Sequence, residues 1–157
     1  MEMKNRITAP EWRVSRWFNS DAPLSLETLR GKVVVLHAFQ MLCPGCVSHG
    51  TPQAQRIAAQ FDPVDVSVIG LHTVFEHHDV MTARALEVFI HENRLSFPIG
   101  VDESGDSSPI PKTMGAYGIQ GTPSLLLIDR HGDLRLHEFG ALPDLAVGAA
   151  IGRLVAE

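Results

Sequence analysis

The sequence predicts an α/β fold: a mixed central β-sheet with helices on both faces and an extra strand at the N-terminus. Three observations predict it. Apolar runs of strand length occur at 32–39, 64–71 and 124–128, and segments with helical spacing separate them. A turn-rich stretch, Asp129-Arg130-His131-Gly132-Asp133, joins the last of these runs to another strand-like segment at 134–139, as in a β-hairpin. The chain of 157 residues suits one domain over 1–157 and is short for two.

Each element has a local reason. Residues 12–18 alternate in part and read as a strand, closed by Asn19-Ser20-Asp21-Ala22-Pro23, with Trp12 and Trp17 packing it on the core. Residues 24–30 form a short helical turn released by Gly31. The run 32–39 is almost wholly apolar, the pattern of a central strand covered on both faces. Residues 47–61 have helical spacing with Ile57, Ala58 and Phe61 inward, and Gly50-Thr51-Pro52 predicts a kink. A second central strand follows at 64–71. A helix is expected over 79–93, capped by Asp79, with Leu86, Phe89 and Ile90 on one face. Then come a short strand at 97–101, a polar loop at 102–111, a short helix at 112–117, the hairpin, and a closing amphipathic helix at 142–155.

Composition excludes several classes. Hydrophobic residues make up 45% and charged ones 20%, an ordinary globular balance. The net charge is −5 and no basic run exists, so nucleic acid is not an expected partner. No apolar stretch reaches the length of a membrane span. Met1-Glu2-Met3-Lys4-Asn5-Arg6 has no apolar signal core behind it, which points to the cytoplasm, or to the periplasm if a leader has been removed.

The chemistry concentrates at Cys43-Pro44-Gly45-Cys46, which holds the only two cysteines. A Cys-x-x-Cys pair where a strand runs into a helix is a redox arrangement. With Cys43 as N-cap, Pro44 falls at the first helical position, where its missing N–H is no loss. The amides of Gly45 and Cys46 and the helix dipole then favour a thiolate on Cys43. Cys46 sits deeper, so Cys43 reads as the nucleophile and Cys46 as the resolving thiol. A purely structural bridge over so short a loop would contribute only about 2 kcal/mol. A structural zinc site needs four ligands, and there is no second cysteine pair.

The run 32–39, the Cys43–Cys46 motif and the downstream Gly121-Thr122-Pro123 together resemble the thioredoxin superfamily. Ala9-Pro10-Glu11 and Leu26-Glu27-Thr28-Leu29-Arg30-Gly31-Lys32 place the resemblance in its TlpA-like and redoxin branch. It implies a thioredoxin-like fold and a thiol–disulfide oxidoreductase with no cofactor. The implied partners are a disulfide-containing protein or small thiol substrate and an upstream reductant. It also implies that Thr122–Pro123 is a cis bond facing the cysteines, offering Thr122 backbone groups to substrate while Pro123 keeps metals off the thiols. Pro44, Gly45, Thr122, Pro123 and His37 would support the site.

The sequence departs from the family at three places. His37, six positions before Cys43, stands where thioredoxins often carry a buried acid. As imidazole it would take the Cys46 proton, as imidazolium it would stabilise thiolate, and the alternative is a hydrogen-bonded core histidine. Leu42 replaces the usual tryptophan. Pro52 lies nine positions after Cys43 rather than eight, which predicts one extra residue in the active-site helix.

Two rival functions remain, with a non-catalytic binding domain as the residual option. Peroxiredoxin-like peroxidases carry Thr or Ser three positions before the reactive cysteine and Pro seven before. Gln40 and Leu36 stand there for Cys43, and Cys43 and Phe39 for Cys46. A copper- or zinc-binding protein would use the thiols with a histidine. His72, His77 and His78, with Glu76 and Asp79, form the one histidine cluster, but a strand end and loop fix no ligand geometry, and no metal site is assigned. His49, early in the active-site helix, faces either substrate or solvent.

Overall fold

The computed structural model describes residues 6–157; residues 1–5, read above for a leader, lie outside them. Among the described residues seven strands, β1 (Ile7–Thr8), β2 (Val14–Phe18), β3 (Val33–Phe39), β4 (Val66–His72), β5 (Ile99–Asp102), β6 (Ser124–Ile128) and β7 (Asp133–Phe139), form one sheet in the order β1-β7-β6-β3-β4-β5-β2. β3 is at the centre, parallel to β4 and antiparallel to β6. β5 continues the parallel side, and β2 closes that edge antiparallel to it. β7 pairs with β6, and β1 adds two residues beyond it.

The all-apolar character of β3 has the expected cause, since every one of its residues is buried. Strand periodicity sends alternate residues to two separate cores. Val33, Val35 and Phe39 face a layer built from α1 (Thr51–Gln60), α2 (Ala83–Glu92) and α4 (Asp144–Ala156), including Ile57, Leu86 and Ile151. Val34, Leu36 and Ala38 face the other layer, with Met114 and Tyr117 of α3 (Lys112–Tyr117) and the N-terminal Leu26 and Leu29. Trp12 and Trp17 pack against this second core. Truncating Leu36 or Leu126, both without solvent exposure, would cost about 2–5 kcal/mol each.

Local structure differs from expectation at four points. The helical turn expected over 24–30 begins two residues later, at 26–31, with the Leu29 N–H donating to the Ser25 carbonyl. The third helix from the sequence reading starts at Ala83, not Asp79, because Thr82 is the cap and accepts from the Ala85 N–H. Met81 just before it is buried, which brings the preceding segment down onto the core. The two-residue β1 carries too little periodicity to be seen in sequence.

The fourth difference is in the active-site helix. The chain enters helix at Pro44 and runs through a π-helical turn, Cys46–Gly50, before continuing as α1. The Thr51 N–H donates to the Cys46 carbonyl, a five-residue step. The residue counted as extra between Cys43 and Pro52 is therefore absorbed as a π turn, the usual form of such insertions.

Candidate active site

Cys43 stands at the junction of β3 and the helix, as its sequence position implies. Its carbonyl accepts from the Val47 N–H and its Sγ accepts from the Cys46 N–H at 3.2 Å. The Cys46 amide thus does what the motif predicts, while no such bond from Gly45 is found. The Sγ atoms of Cys43 and Cys46 are 2.6 Å apart, and both cysteines are free. Cys43 is half-buried and Cys46 has 0% exposure, so only the first presents its sulfur to solvent. Burial pushes the Cys46 thiol up to about 12, and the contact with Cys43 adds to this. The Gln40 backbone and the Thr122 side chain oppose it. Cys46 is therefore a protonated thiol at neutral pH.

The Thr122–Pro123 bond is cis, and the Cys43 thiol donates to the Thr122 carbonyl at 3.4 Å. Pro123 packs against the helix start. A Cβ on Gly45 would come within 3.2 Å of its Cδ, and one on Gly50 within 2.8 Å of its Cβ. Glycine at both positions lets the helix approach this loop closely.

His37 lies beneath the same helix, stacked on Phe39 at 5.0 Å, with Nε2 3.0 Å from the Thr51 hydroxyl. That bond engages Nε2 with Thr51, and no hydrogen bond joins His37 to Cys46. Burial holds the His37 pKa down to about 3, so the ring is neutral near pH 7 and has no imidazolium to offer. His49 is half-buried and bonds the Leu142 carbonyl at 2.9 Å, where Gln53 also donates.

The histidine cluster disperses. His72 is buried with its pKa lowered to about 4, and its Nε2 accepts from the Met41 N–H. His78 is exposed and bonds the Pro109 carbonyl. Among the described residues, no group of three or more His, Cys, Asp or Glu is placed to hold a metal ion. No helix among them is long and apolar enough to cross a membrane.

A cleft of about 520 Å³ opens beside Cys43. One wall is Leu42, Cys43 and Pro44 with Thr122, and the other is the segment Phe75 to Met81. Leu42 is 56% exposed and Val80 is 53% exposed, so the rim is apolar. Gln40, at the cleft floor with 1% exposure, ties the walls together. Its Oε1 accepts from the Phe75 N–H at 3.2 Å and its amide donates to Glu76 at 3.4 Å. From sequence, Gln40 stands out only as the residue in place of a peroxidase threonine. A glutamine at the end of an apolar strand is itself a signal, because a buried amide requires partners from a neighbouring segment.

Comparisons with known proteins agree with this geometry. Residues 7–137 match the AhpC/TSA family. The chain is 26% identical over 118 residues to the thiol-disulfide oxidoreductase ResA of Halalkalibacterium halodurans, a match over 74% of this chain and 60% of that protein's length. A crystal structure of a thioredoxin-like superfamily protein is 56% identical, with a TM-score of 0.94 over 96% of this chain and 97% of that one. The crystal structure of a thiol-disulfide isomerase from Corynebacterium glutamicum is 52% identical, with a TM-score of 0.91 over 95% and 97%. The sheet order, the paired thiols and these likenesses place the chain in the AhpC/TSA family, as a redoxin-type member of the thioredoxin superfamily.

Proposed function

We propose that this protein is a thiol–disulfide oxidoreductase in which Cys43 attacks and Cys46 resolves. The carrying observation is the asymmetry of two adjacent sulfurs, one open to a cleft and one wholly buried. Cys43 attacks one sulfur of a substrate disulfide, forming a mixed disulfide and releasing the first substrate thiol. Cys46 then attacks Cys43 Sγ, closing the Cys43–Cys46 disulfide. Its proton goes with the second departing substrate sulfur. The substrate gains two electrons and two protons, and an upstream reductant restores the dithiol. Run backwards, the same steps oxidise a substrate dithiol, and the redox potential sets the direction.

Supporting roles follow from position. The backbone of Thr122 lies at the cleft beside Cys43 and suits pairing with an extended substrate segment. Pro123, Gly45 and Pro44 shape the helix start around the sulfurs. His37 is a positioning residue in this reading, holding Thr51 at the end of the π turn.

A peroxidase would need a hydroxyl and a proline ring around its cysteine, whereas the buried amide of Gln40 and the apolar Leu36 stand at those positions. The test is a paired assay on the pure protein: dithiothreitol-driven insulin reduction and hydrogen peroxide consumption, with metal content measured on the same sample. Catalysed insulin reduction with peroxide turnover no faster than a free thiolate is expected. Fast peroxide turnover without disulfide exchange would overturn the reading.

A further inference from the structure

The cleft beside Cys43 carries one acid and no lysine or arginine among the described residues that line it. That acid, Glu76, is oriented rather than loose. It accepts from the buried Gln40 amide at 3.4 Å, and the adjoining Phe75 N–H is held by the same side chain. Glu76 makes no ion pair with any described residue, and it is exposed where it lines the cleft. Its neighbours are amphipathic. Phe75 and Val80 offer an apolar track, and a lysine or arginine stem can lie along such a surface while its head reaches an acid. The protein's net charge of −5 adds to the bias against anionic partners.

The geometry points to a peptide segment bearing Lys or Arg beside its disulfide as the preferred substrate, with Glu76 receiving the cation. This rests on the exchange reading above and adds a specificity to it. The reaction is the one already balanced: a substrate disulfide becomes two thiols while Cys43 and Cys46 become a disulfide. Glu76 takes no proton and forms no bond in it. Its contribution is attraction across a cleft open to water, which limits one charge to an effect of about three- to tenfold.

The test uses the reduced full chain and three synthetic disulfide-linked peptides, alike except for Lys, Gln or Glu next to cysteine. Second-order rates of peptide reduction are measured at low and high salt for the wild type, Glu76→Gln and Glu76→Lys. The expected order at low salt is Lys over Gln over Glu, each step about threefold or more, narrowing in high salt. Glu76→Gln should collapse the spread and Glu76→Lys should reverse it. If the order persists unchanged in Glu76→Gln, or the three peptides react alike with the wild type, the charge selection is overturned while disulfide exchange stands. If the Gln peptide and insulin both fail to react, the exchange reading itself falls, and this inference with it.

Discussion

The backbone N–H of Met41 donates to Nε2 of the buried His72 at 3.1 Å, which ties the segment entering Cys43 to the end of β4. Nε2 must carry a lone pair to accept, so the His72 proton sits on Nδ1 and the ring is neutral. Protonating it turns the acceptor into a donor and breaks the tie.

This gives a stability profile with a definite sign. His37 and His72 have pKa values held down to about 3 and about 4 by burial, against 6.5 unperturbed. As pH falls, the unfolded chain takes up these protons first. The stability they contribute is complete above about pH 6.5 and is lost as pH falls toward 3. The urea midpoint should be flat from pH 8 to 7 and drop by about 1–2 M by pH 5. His37→Asn should roughly halve that acid-side slope, whatever it does to stability at pH 7. An unchanged slope would mean that His37 is not buried neutral.

Alkylation should discriminate the two thiols. Cys46 has no exposure and a pKa near 12, so iodoacetamide at pH 7.5 should label Cys43 at least about tenfold faster in the reduced protein. Peptide mapping reads the result directly. Faster labelling of Cys46 would reverse the proposed roles.

Trapping should follow the same asymmetry. Cys46→Ser should accumulate mixed disulfides through Cys43, while Cys43→Ser should lose insulin reduction altogether. Non-reducing gels and mass spectrometry separate these outcomes, and trapping through Cys46 in Cys43→Ser would count against the assignment.

Gly50→Ala tests the close approach beneath the helix. The new Cβ would fall 2.8 Å from both His37 Cε1 and Pro123 Cβ, so either the histidine or the proline loop must give way. A loss of about 1–3 kcal/mol is expected. The exchange rate should fall as well, because Pro123 also packs beside Gly45 at the thiols. Full stability with full activity would show that the layer is looser than its geometry.

Legibility in the sequence tracked how local the cause was. The strand holding Val33 to Phe39 and the helix from Lys112 to Tyr117 were readable because their patterns are set by their own burial and turns. The paired cysteines were readable as a motif, and their unequal burial follows from one turn of helix. The strand at Ile7 and Thr8 was not, since it exists only through pairing with Leu134 and Asp133. The second cleft wall was also hidden. Asp79 and Thr82 are both competent caps, and the tertiary seat of Met81 decides between them. Glu76 became meaningful only once Gln40, distant in sequence, was seen to hold it.

The π turn at Cys46–Gly50 changes what the helix can be asked to do. An added residue in a regular helix would rotate everything after it by about 100°. Ala54 and Ile57 would swing off the core, or the sulfurs would swing off the cleft. The widened turn takes up that rotation locally, so the helix works as a splice between two independently set faces. Its first turn can be aimed at the chemistry and its remainder at the sheet, and a change in one end need not be transmitted to the other.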